Sequence, residues 1–350
     1  MKTVLILGAT GLFGGHLARQ LIADARFDVV AAGRTEATLK AFTAEHGGRY
    51  IAFDRNTPES ALQTIKPFAV VDTAGPFQSY GPAFAHACLQ AGAHYLDIAD
   101  APDFVQNISS LDSLAKAQNL TAISGASTTP ALTSAVLTAF NMPQIDSIET
   151  TILPGNQTPR GLSVMRAILG QVGQPMPLWE GGQWQQAKGW SRLSHTALRV
   201  GYTHLMPRPA SLVNTPDSLL AAHFNAQTVI PRAGLELGLF HHTLRLARFL
   251  PFPLGPLTKP AHIAAGWFQA FGSDLGGMRV RATGGGTTKT WDLIAPDGHG
   301  PKIPVQPAAI LLSHLANGHA PTGARPCIAE IPLAELEAAM ARFGAITELR

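Results

Sequence analysis

The sequence predicts an α/β protein, in which a Rossmann-type doubly wound parallel sheet is followed by a second α+β domain. Three observations lead to this prediction. Short apolar runs alternate with longer helix-like segments from residue 3 to about residue 124, a glycine-rich turn follows the first run, and the pattern changes after Pro130. Such alternation is typical of βαβ units, whose strands are parallel.

Six apolar runs are candidates for the strands of this sheet. Each consists of apolar or β-branched residues and ends in a turn-forming residue, as expected of strands that are buried on both faces. The runs are TVLILG from Thr3, DVVAAG from Asp28, YIAF from Tyr50, AVVDTAG from Ala69, HYLDI from His94 and LTAISG from Leu120.

The length of 350 residues exceeds what one hydrophobic core usually supports, so we expect two domains. The predicted ranges are 1–130 for the Rossmann domain and 131–304 for the α+β domain. A hairpin is expected over Met278–Asp297, with Gly284-Gly285-Gly286 as its turn. Residues 305–350 should form helices at Ala308–Ala316 and Leu333–Phe343 that return to the Rossmann domain.

The composition excludes several classes of protein. The chain is 46% hydrophobic and 14% charged, which suits a compact enzyme, and its net charge of +3 comes from scattered Lys and Arg, which argues against a nucleic-acid partner. Cys88 and Cys327 show no metal-ligand spacing, so neither a disulfide framework nor a metal site is expected. No run is long enough to span a membrane, and we expect a cytoplasmic protein.

The turn Gly8-Ala9-Thr10-Gly11-Leu12-Phe13-Gly14-Gly15 joins the first strand to a helix and predicts a dinucleotide site. Gly8 allows a tight turn, Gly11 allows the backbone to approach a pyrophosphate, and Gly14 allows the helix to pack closely on the strand. The helix N-terminus offers free N–H groups to the phosphates. The cofactor-binding residues of this turn are Gly8, Thr10, Gly11, Leu12, Phe13 and Gly14.

The end of the second strand predicts NADP(H) rather than NAD(H). Domains that select NAD carry an acidic residue there for the ribose 2′-hydroxyl, whereas this chain has Gly33-Arg34-Thr35. Arg34 can bind a 2′-phosphate, and Thr35 can add a hydroxyl donor. The alternative is a solvated Arg34. Asp54, after the third strand, is a candidate for the adenine amino group or, equally, for a turn ahead of Thr57.

A family resemblance begins in the fourth and fifth strands. The segments Ala74-Gly75-Pro76-Phe77-Gln78-Ser79-Tyr80-Gly81, His94-Tyr95-Leu96-Asp97 and Gly125-Ala126-Ser127-Thr128-Thr129-Pro130 resemble the saccharopine dehydrogenase-like (saccharopine reductase-like) family, as do Pro216-Asp217, Arg232–Glu236 and Trp291–Pro307. Ala99-Asp100 departs from the Gly-Glu that relatives carry. The resemblance implies a Rossmann domain, an inserted α+β domain and hydride chemistry with NAD(P)H.

The carboxyl ends of the fourth to sixth strands supply the remaining candidates. Thr73, Ala74, Gly75 and Pro76 lie at the switch point, where small residues leave room for the nicotinamide ribose. Tyr80, His94, Tyr95 and Asp97 are expected near the same rim, with Tyr80 and Asp97 as acid–base candidates and Tyr80, Tyr95, Ser127 and Thr128 as substrate contacts. Hydrogen bonding within the fold or an ordinary capping role is the alternative for each.

Residues 235–254 are rich in Leu, with Arg245 and Arg248 among them. A helix buried between domains or subunits is favoured, with contact to a membrane surface or an oily substrate as the alternative. The sequence therefore predicts an NADP(H)-dependent oxidoreductase, a homodimer, acting on a small or lipid-like C=O, C=N or C=C group in a cleft between domains. The alternative function is a non-catalytic NADPH-binding redox sensor that acts on a partner.

Overall fold

The computed structural model describes all residues from Met1 to Arg350 and divides into two compact units. The first unit comprises Met1–Ala131 and Lys302–Ile331, and the second comprises Leu132–Pro301 and Pro332–Arg350. The chain therefore forms most of the first unit and then most of the second. Residues 302–331 complete the first unit, and residues 332–350 complete the second.

Strands and helices alternate regularly through the N-terminal part of the first unit. In chain order they are β1 (Lys2–Leu7), α1 (Leu12–Asp24), β2 (Phe27–Gly33), α2 (Glu36–His46), β3 (Arg49–Ala52), α3 (Glu59–Ile65), β4 (Ala69–Asp72), α4 (Ala83–Gln90), β5 (His94–Asp97), α5 (Pro102–Asn107), α6 (Asp112–Ala117) and β6 (Thr121–Ser124). All six expected strands are present.

The middle of the chain has no such alternation. Its elements are α7 (Thr133–Phe140), β7 (Ser147–Leu153), α8 (Leu162–Gln171), β8 (Pro175–Glu180), β9 (Gln183–Lys188), β10 (Ser194–Val200), β11 (Thr203–Leu212), α9 (Leu220–Phe224), β12 (Thr228–Gly234), α10 (Gly238–Ala247), α11 (Thr258–Trp267), β13 (Gly276–Gly284) and β14 (Thr287–Ala295). The C-terminal elements are α12 (Gln306–Ala316), β15 (Gly323–Pro326), α13 (Leu333–Ala341) and β16 (Ile346–Leu349).

The sheet of the first unit has seven parallel strands in the order β15-β6-β5-β4-β1-β2-β3. Val4, Leu5 and Ile6 of β1 are completely buried, which explains why the central strand reads as an unbroken apolar run. The direction of winding reverses between β1 and β4. This switch point lies where the glycine-rich turn and the segment after β4 meet, as the predicted doubly wound fold requires.

The second unit contains a mixed seven-stranded sheet in the order β10-β11-β12-β7-β13-β14-β16 and a separate hairpin of β8 and β9. Only β12 and β7 are paired in parallel. The expected hairpin is confirmed as β13 and β14, joined at Gly285 and Gly286, whose φ values of +57° and +77° suit glycine. The α/β class with a second α+β domain is therefore confirmed.

The C-terminal segment departs from the expectation that both of its helices return to the first unit. Helix α12 does so, but α13 and β16 belong to the second unit. The reason is that β16 pairs antiparallel with β14, while the Trp291 indole N–H donates to Glu337 of α13 at 2.9 Å. The seventh strand of the first sheet, β15, was not predicted. No helix of the structure is long and apolar enough to cross a membrane.

Candidate nucleotide-binding and active site

The glycine-rich turn has the backbone that its sequence predicts. Gly8 has a φ of +85°, its N–H donates to the carbonyl of Ala32 at 2.9 Å, and a β-carbon on it would approach the Thr73 hydroxyl to 2.9 Å. A β-carbon on Gly14 would overlap the carbonyl oxygen of Gly8 and the same Thr73 hydroxyl. Both positions therefore exclude any side chain, because the turn and the strand leave no space for one.

Helix α1 begins directly at this turn. Gly11 precedes its first residue with an extended backbone and no side-chain cap, so the N–H groups of Leu12, Phe13 and Gly14 have no acceptor within the helix. Thr10 and Gly11 are exposed. Free amides, a partial positive charge and an approach without side chains fit the pyrophosphate of a dinucleotide.

The residue that follows β2 is Arg34, a cation without a partner in the structure. Arg34 is exposed and makes no hydrogen bond or ion pair in the structure, while Thr35 precedes α2 without capping it through its hydroxyl. The nearest acidic residue in sequence, Glu36, accepts a hydrogen bond from the Tyr50 hydroxyl at 3.4 Å. The position that decides between a 2′-hydroxyl and a 2′-phosphate therefore presents a guanidinium group.

Asp54 forms a turn of its own. Its Oδ1 accepts hydrogen bonds from the backbone N–H and the side-chain amide of Asn56, at 2.9 Å and 3.0 Å, and its carbonyl accepts from Thr57. This is the turn that the sequence offered as one of two roles for Asp54. A contact with adenine stays a prediction.

The segment after β4 is held by a buried carboxylate that the sequence analysis missed. Asp72 is completely buried, and its carboxylate accepts hydrogen bonds from the Ala74 N–H at 3.0 Å and the Tyr95 hydroxyl at 3.2 Å. Arg55 forms an ion pair with Asp72 at 2.6 Å. Burial raises the pKa of Asp72, and Arg55 opposes this rise. Thr73 in turn donates from its hydroxyl to the Leu7 carbonyl at 2.7 Å.

Arg55 connects this segment with Tyr80. Only 9% of Arg55 is exposed, it donates to the carbonyl of Ala74 at 3.1 Å, and its guanidinium lies 4.0 Å from the centre of the Tyr80 ring. The ring of Tyr80 is 38% exposed. A cation that is ion-paired on one side and covered by an aromatic ring on the other fixes both the turn and the tyrosine.

Tyr95 and Asp97 point into the first unit rather than to its surface. Both are completely buried, and burial raises the pKa of Tyr95 well above its usual value. Oδ1 of Asp97 accepts hydrogen bonds from Ser124 Oγ at 2.9 Å, Gly125 N at 2.8 Å and Ala99 N at 2.9 Å, while Oδ2 has no partner. Burial raises the pKa of Asp97 to about 7. Asp97 therefore links the ends of β5 and β6 and is mostly protonated only below about pH 7.

Other candidates are placed as follows. The main-chain N–H of Ser127 donates to Gly125 O at 2.7 Å, and Thr128 opens an irregular turn over Thr128–Leu132. His94 lies at the amino end of β5, where its Nδ1 accepts from Thr121 N at 3.1 Å. The expectation that His94 shares the rim with Asp97 is therefore wrong, since four residues of strand separate opposite edges of a sheet. Tyr80 and Asp97 make no hydrogen bond with each other.

Comparison with known families identifies the first unit. Residues 4–123 match the family model of the saccharopine dehydrogenase NADP-binding domain. This part of the chain is therefore similar to the NADP-binding domain of saccharopine dehydrogenases. The resemblance seen in the sequence is confirmed over these residues, and the match supports an NAD(P)-dependent oxidoreductase. No curated protein matches the chain in sequence.

Solved structures show the same fold as this saccharopine dehydrogenase-like chain. The apo saccharopine dehydrogenase (L-Glu forming) of Saccharomyces cerevisiae matches with a TM-score of 0.71 at 13% identity, covering 100% of this chain and 99% of that one. A homospermidine synthase of Legionella pneumophila, solved with NAD, gives 0.60 at 12% identity, covering 100% and 91%. An amine dehydrogenase of Mycobacterium smegmatis gives 0.51 at 10% identity, covering 95% and 96%.

Proposed function

We propose that the chain is an NADP(H)-dependent oxidoreductase that transfers a hydride to or from a small or lipid-like C=O, C=N or C=C group. Arg34 is the observation that supports NADP(H). Its guanidinium is exposed and unpaired at the end of β2, the strand adjacent to the glycine-rich turn. A planar cation at this point favours a 2′-phosphate and offers nothing specific to a 2′-hydroxyl.

The chemistry divides between cofactor and protein. A bound nicotinamide ring would supply or accept the hydride. The residues of the glycine-rich turn would bind the pyrophosphate, and Thr73, Ala74, Gly75 and Pro76 would border the ribose beside it. Arg55 and Asp72 keep this border in place, because their ion pair and two hydrogen bonds engage the turn after β4.

Tyr80 is the better of the two proposed acid–base residues. Its hydroxyl is part of a side chain that is 38% exposed, whereas Asp97 is completely buried. In the direction of reduction, Tyr80 would donate a proton to the substrate atom that gains negative charge as the hydride arrives. Asp97 would not contact the substrate and would instead hold Ser124 and Gly125 in position through its hydrogen bonds to them. Ser127 and Thr128 stay proposed substrate contacts, whereas the completely buried Tyr95, whose hydroxyl donates to Asp72, acts within the fold.

Removal of the Arg34 side chain tests the cofactor assignment. Arg34→Ala should weaken NADPH binding by about tenfold to a hundredfold, the range for a lost hydrogen bond to a charged group, and leave NADH binding unchanged. Calorimetric titration with each nucleotide measures both constants. Arg26→Ala is the matched control, because Arg26 is an exposed arginine at the opposite end of β2. Equal effects on both nucleotides, or none, would remove Arg34 from the site.

Turnover separates an enzyme from the alternative, a redox sensor. Protein with NADPH is offered a panel of carbonyl, imine and enoyl compounds, including acyl chains, and oxidation of the nicotinamide is followed by its absorbance. We expect oxidation with at least one class. Tight NADPH binding without oxidation of any class, together with an effect of the nucleotide on a partner's affinity, supports the sensor instead.

A further inference from the structure

The second unit carries an exposed apolar surface on α10, α11 and the segment that connects them. The side chains of Leu239, Leu246, Phe249, Phe252, Ile263 and Trp267 are each more than half exposed. Residues 235–254 are therefore not fully buried within the single chain, and their burial between subunits stays a prediction. Large contiguous apolar patches on a protein surface mark places of interaction.

Both helices are anchored, so their outer faces are fixed surfaces. On α10, Phe240 and Leu244 pack into the cluster formed by Leu169, Val172, Trp190, Val213, Leu235 and Leu254. The Phe240 ring also contacts that of Phe268, just after α11, with their centres 5.1 Å apart. Opposite this inner face, Leu239 and Leu246 lie two turns apart along α10, and Ile263 and Trp267 lie one turn apart along α11.

The charged side chains of α10, α11 and their connecting segment are all basic. No Asp or Glu occurs from Leu237 to Ser273, whereas Arg245, Arg248 and Lys259 do. The whole chain is nearly balanced, with 26 Lys and Arg against 23 Asp and Glu, so the imbalance is local. Arg248 lies 4.6 Å from the ring centre of Phe249, which places a cation beside one of the exposed aromatic side chains.

We propose that this surface docks on an anionic lipid membrane. Leu, Phe and Trp side chains enter the boundary between headgroups and acyl chains, while Arg and Lys remain at the level of the lipid phosphates. A second copy of the chain fits less well. In a two-fold dimer the same surface faces itself, so Arg248 and Lys259 would meet like charges with no carboxylate in the segment to pair with them. The proposal does not depend on the reaction that the first unit performs.

Sedimentation with lipid vesicles tests the proposal. The purified full chain is mixed with vesicles of phosphatidylcholine alone or of phosphatidylcholine with phosphatidylglycerol. We expect it to pellet with the second kind and to be released by salt. The double variant Arg248→Glu/Lys259→Glu should lower the partition coefficient by about tenfold or more. The variant Leu246→Ser/Trp267→Ser should also reduce binding, since it removes the inserted side chains.

Tyr202→Ser is the matched control, because Tyr202 is 99% exposed in the turn between β10 and β11, outside this surface. It should bind vesicles like the wild type. Tryptophan fluorescence adds a second measurement: the emission of the wild type should shift to shorter wavelength with anionic vesicles, and that of Leu246→Ser/Trp267→Ser, which keeps the other four tryptophans, should not. All variants should retain NADPH binding.

Three results would overturn the proposal. The wild type fails to bind anionic vesicles, or it binds neutral and anionic vesicles equally, or sedimentation equilibrium shows a dimer that Leu246→Ser/Trp267→Ser dissociates. The last result would make the surface a subunit interface. None of these results bears on the cofactor, so failure here is distinguishable from failure of the proposed function.

Discussion

Gly14 has no room for a side chain, and the atoms around it cannot move away. The Gly8 carbonyl that a β-carbon would overlap already accepts the Gly11 N–H at 2.8 Å. The Thr73 hydroxyl on the other side is bound to Leu7. A methyl group at Gly14 therefore forces α1 away from the end of β1 and changes the turn that faces the pyrophosphate.

Gly14→Ala should lower the free energy of unfolding by about 1–3 kcal/mol, as overpacking usually does, and weaken NADPH binding. Thermal unfolding and nucleotide titration measure the two effects. Gly15→Ala is the control, since its β-carbon would meet nothing closer than an Arg19 nitrogen at 3.3 Å, and alanine favours the helix. Equal stability of the two variants would contradict the packing argument.

Residues of the site differ in how far the sequence could predict them. The roles of Gly8 and Gly14 follow from backbone geometry that one motif encodes, so the sequence was sufficient. Arg55 follows β3, whereas Asp72 is the last residue of β4, and no spacing in the sequence links the two. Their ion pair exists because β3 and β4 end at the same edge of the sheet, with β1 and β2 between them. Only the assembled fold shows it.

A strand could be predicted from the sequence where its apolar pattern matches its burial in the fold. Strands β1, β2, β4, β5 and β6 are apolar because they are largely buried, whereas β3, at the edge of the sheet, is mostly exposed. Strand β15, with the sequence GARP, has neither apolar alternation nor β-branched residues. It is a strand because it pairs with β6 and because Asp112 of α6 accepts the Ala324 N–H at 2.9 Å. Such a strand is defined by its long-range partners.

Asp112→Ala should loosen β15 selectively. The Ala324 amide loses its acceptor, so its hydrogen exchange should accelerate along with that of neighbouring amides in β15, while β1 and β4 remain protected. Lys116→Ala provides the control, because it removes the exposed Lys116–Asp112 ion pair and leaves the Ala324 hydrogen bond in place. Similar exchange in the two variants would show that Asp112 acts through its ion pair instead.

On the scale of the whole molecule, each unit contains a buried carboxyl group that has no cationic partner and a raised pKa, in addition to the Asp72 that is paired with Arg55. Burial raises the pKa of Asp97 in the first unit to about 7 and that of Asp217 in the second to about 6. Asp217 Oδ2 accepts a hydrogen bond from Thr150 at 2.7 Å, and its Oδ1 has no partner. Between about pH 4 and pH 6 the folded chain therefore keeps protons on Asp97 and Asp217 that the unfolded chain, with ordinary aspartate pKa values, has released.

These protons should make the chain less stable as pH rises. Each group contributes stability that is fully present below about pH 4 and is lost as pH rises to its folded pKa, with a slope of up to about 1.4 kcal/mol per pH unit. Denaturant unfolding from about pH 5 to 7 should show a weaker decline for Asp97→Asn and Asp217→Asn than for the wild type. Both variants keep an amide oxygen as the hydrogen-bond acceptor.

Comparison with the wild type is needed because burial lowers the pKa of His241 to about 4, which has the opposite effect over part of this range. Asp103→Asn, an exposed carboxylate at the start of α5, serves as the control and should follow the wild type. Parallel curves for all four proteins would mean that neither buried carboxyl group is protonated in the folded chain.

The late position of β15 in the chain has a consequence for biosynthesis. At ~5–20 residues per second, the ribosome needs on the order of ten to forty seconds to make the roughly 200 residues that separate β6 from β15. Throughout that time the nascent sheet presents β6 as an open edge, to which a second nascent chain can add. Dependence on a chaperone should therefore be greatest in this interval and end when residue 326 emerges.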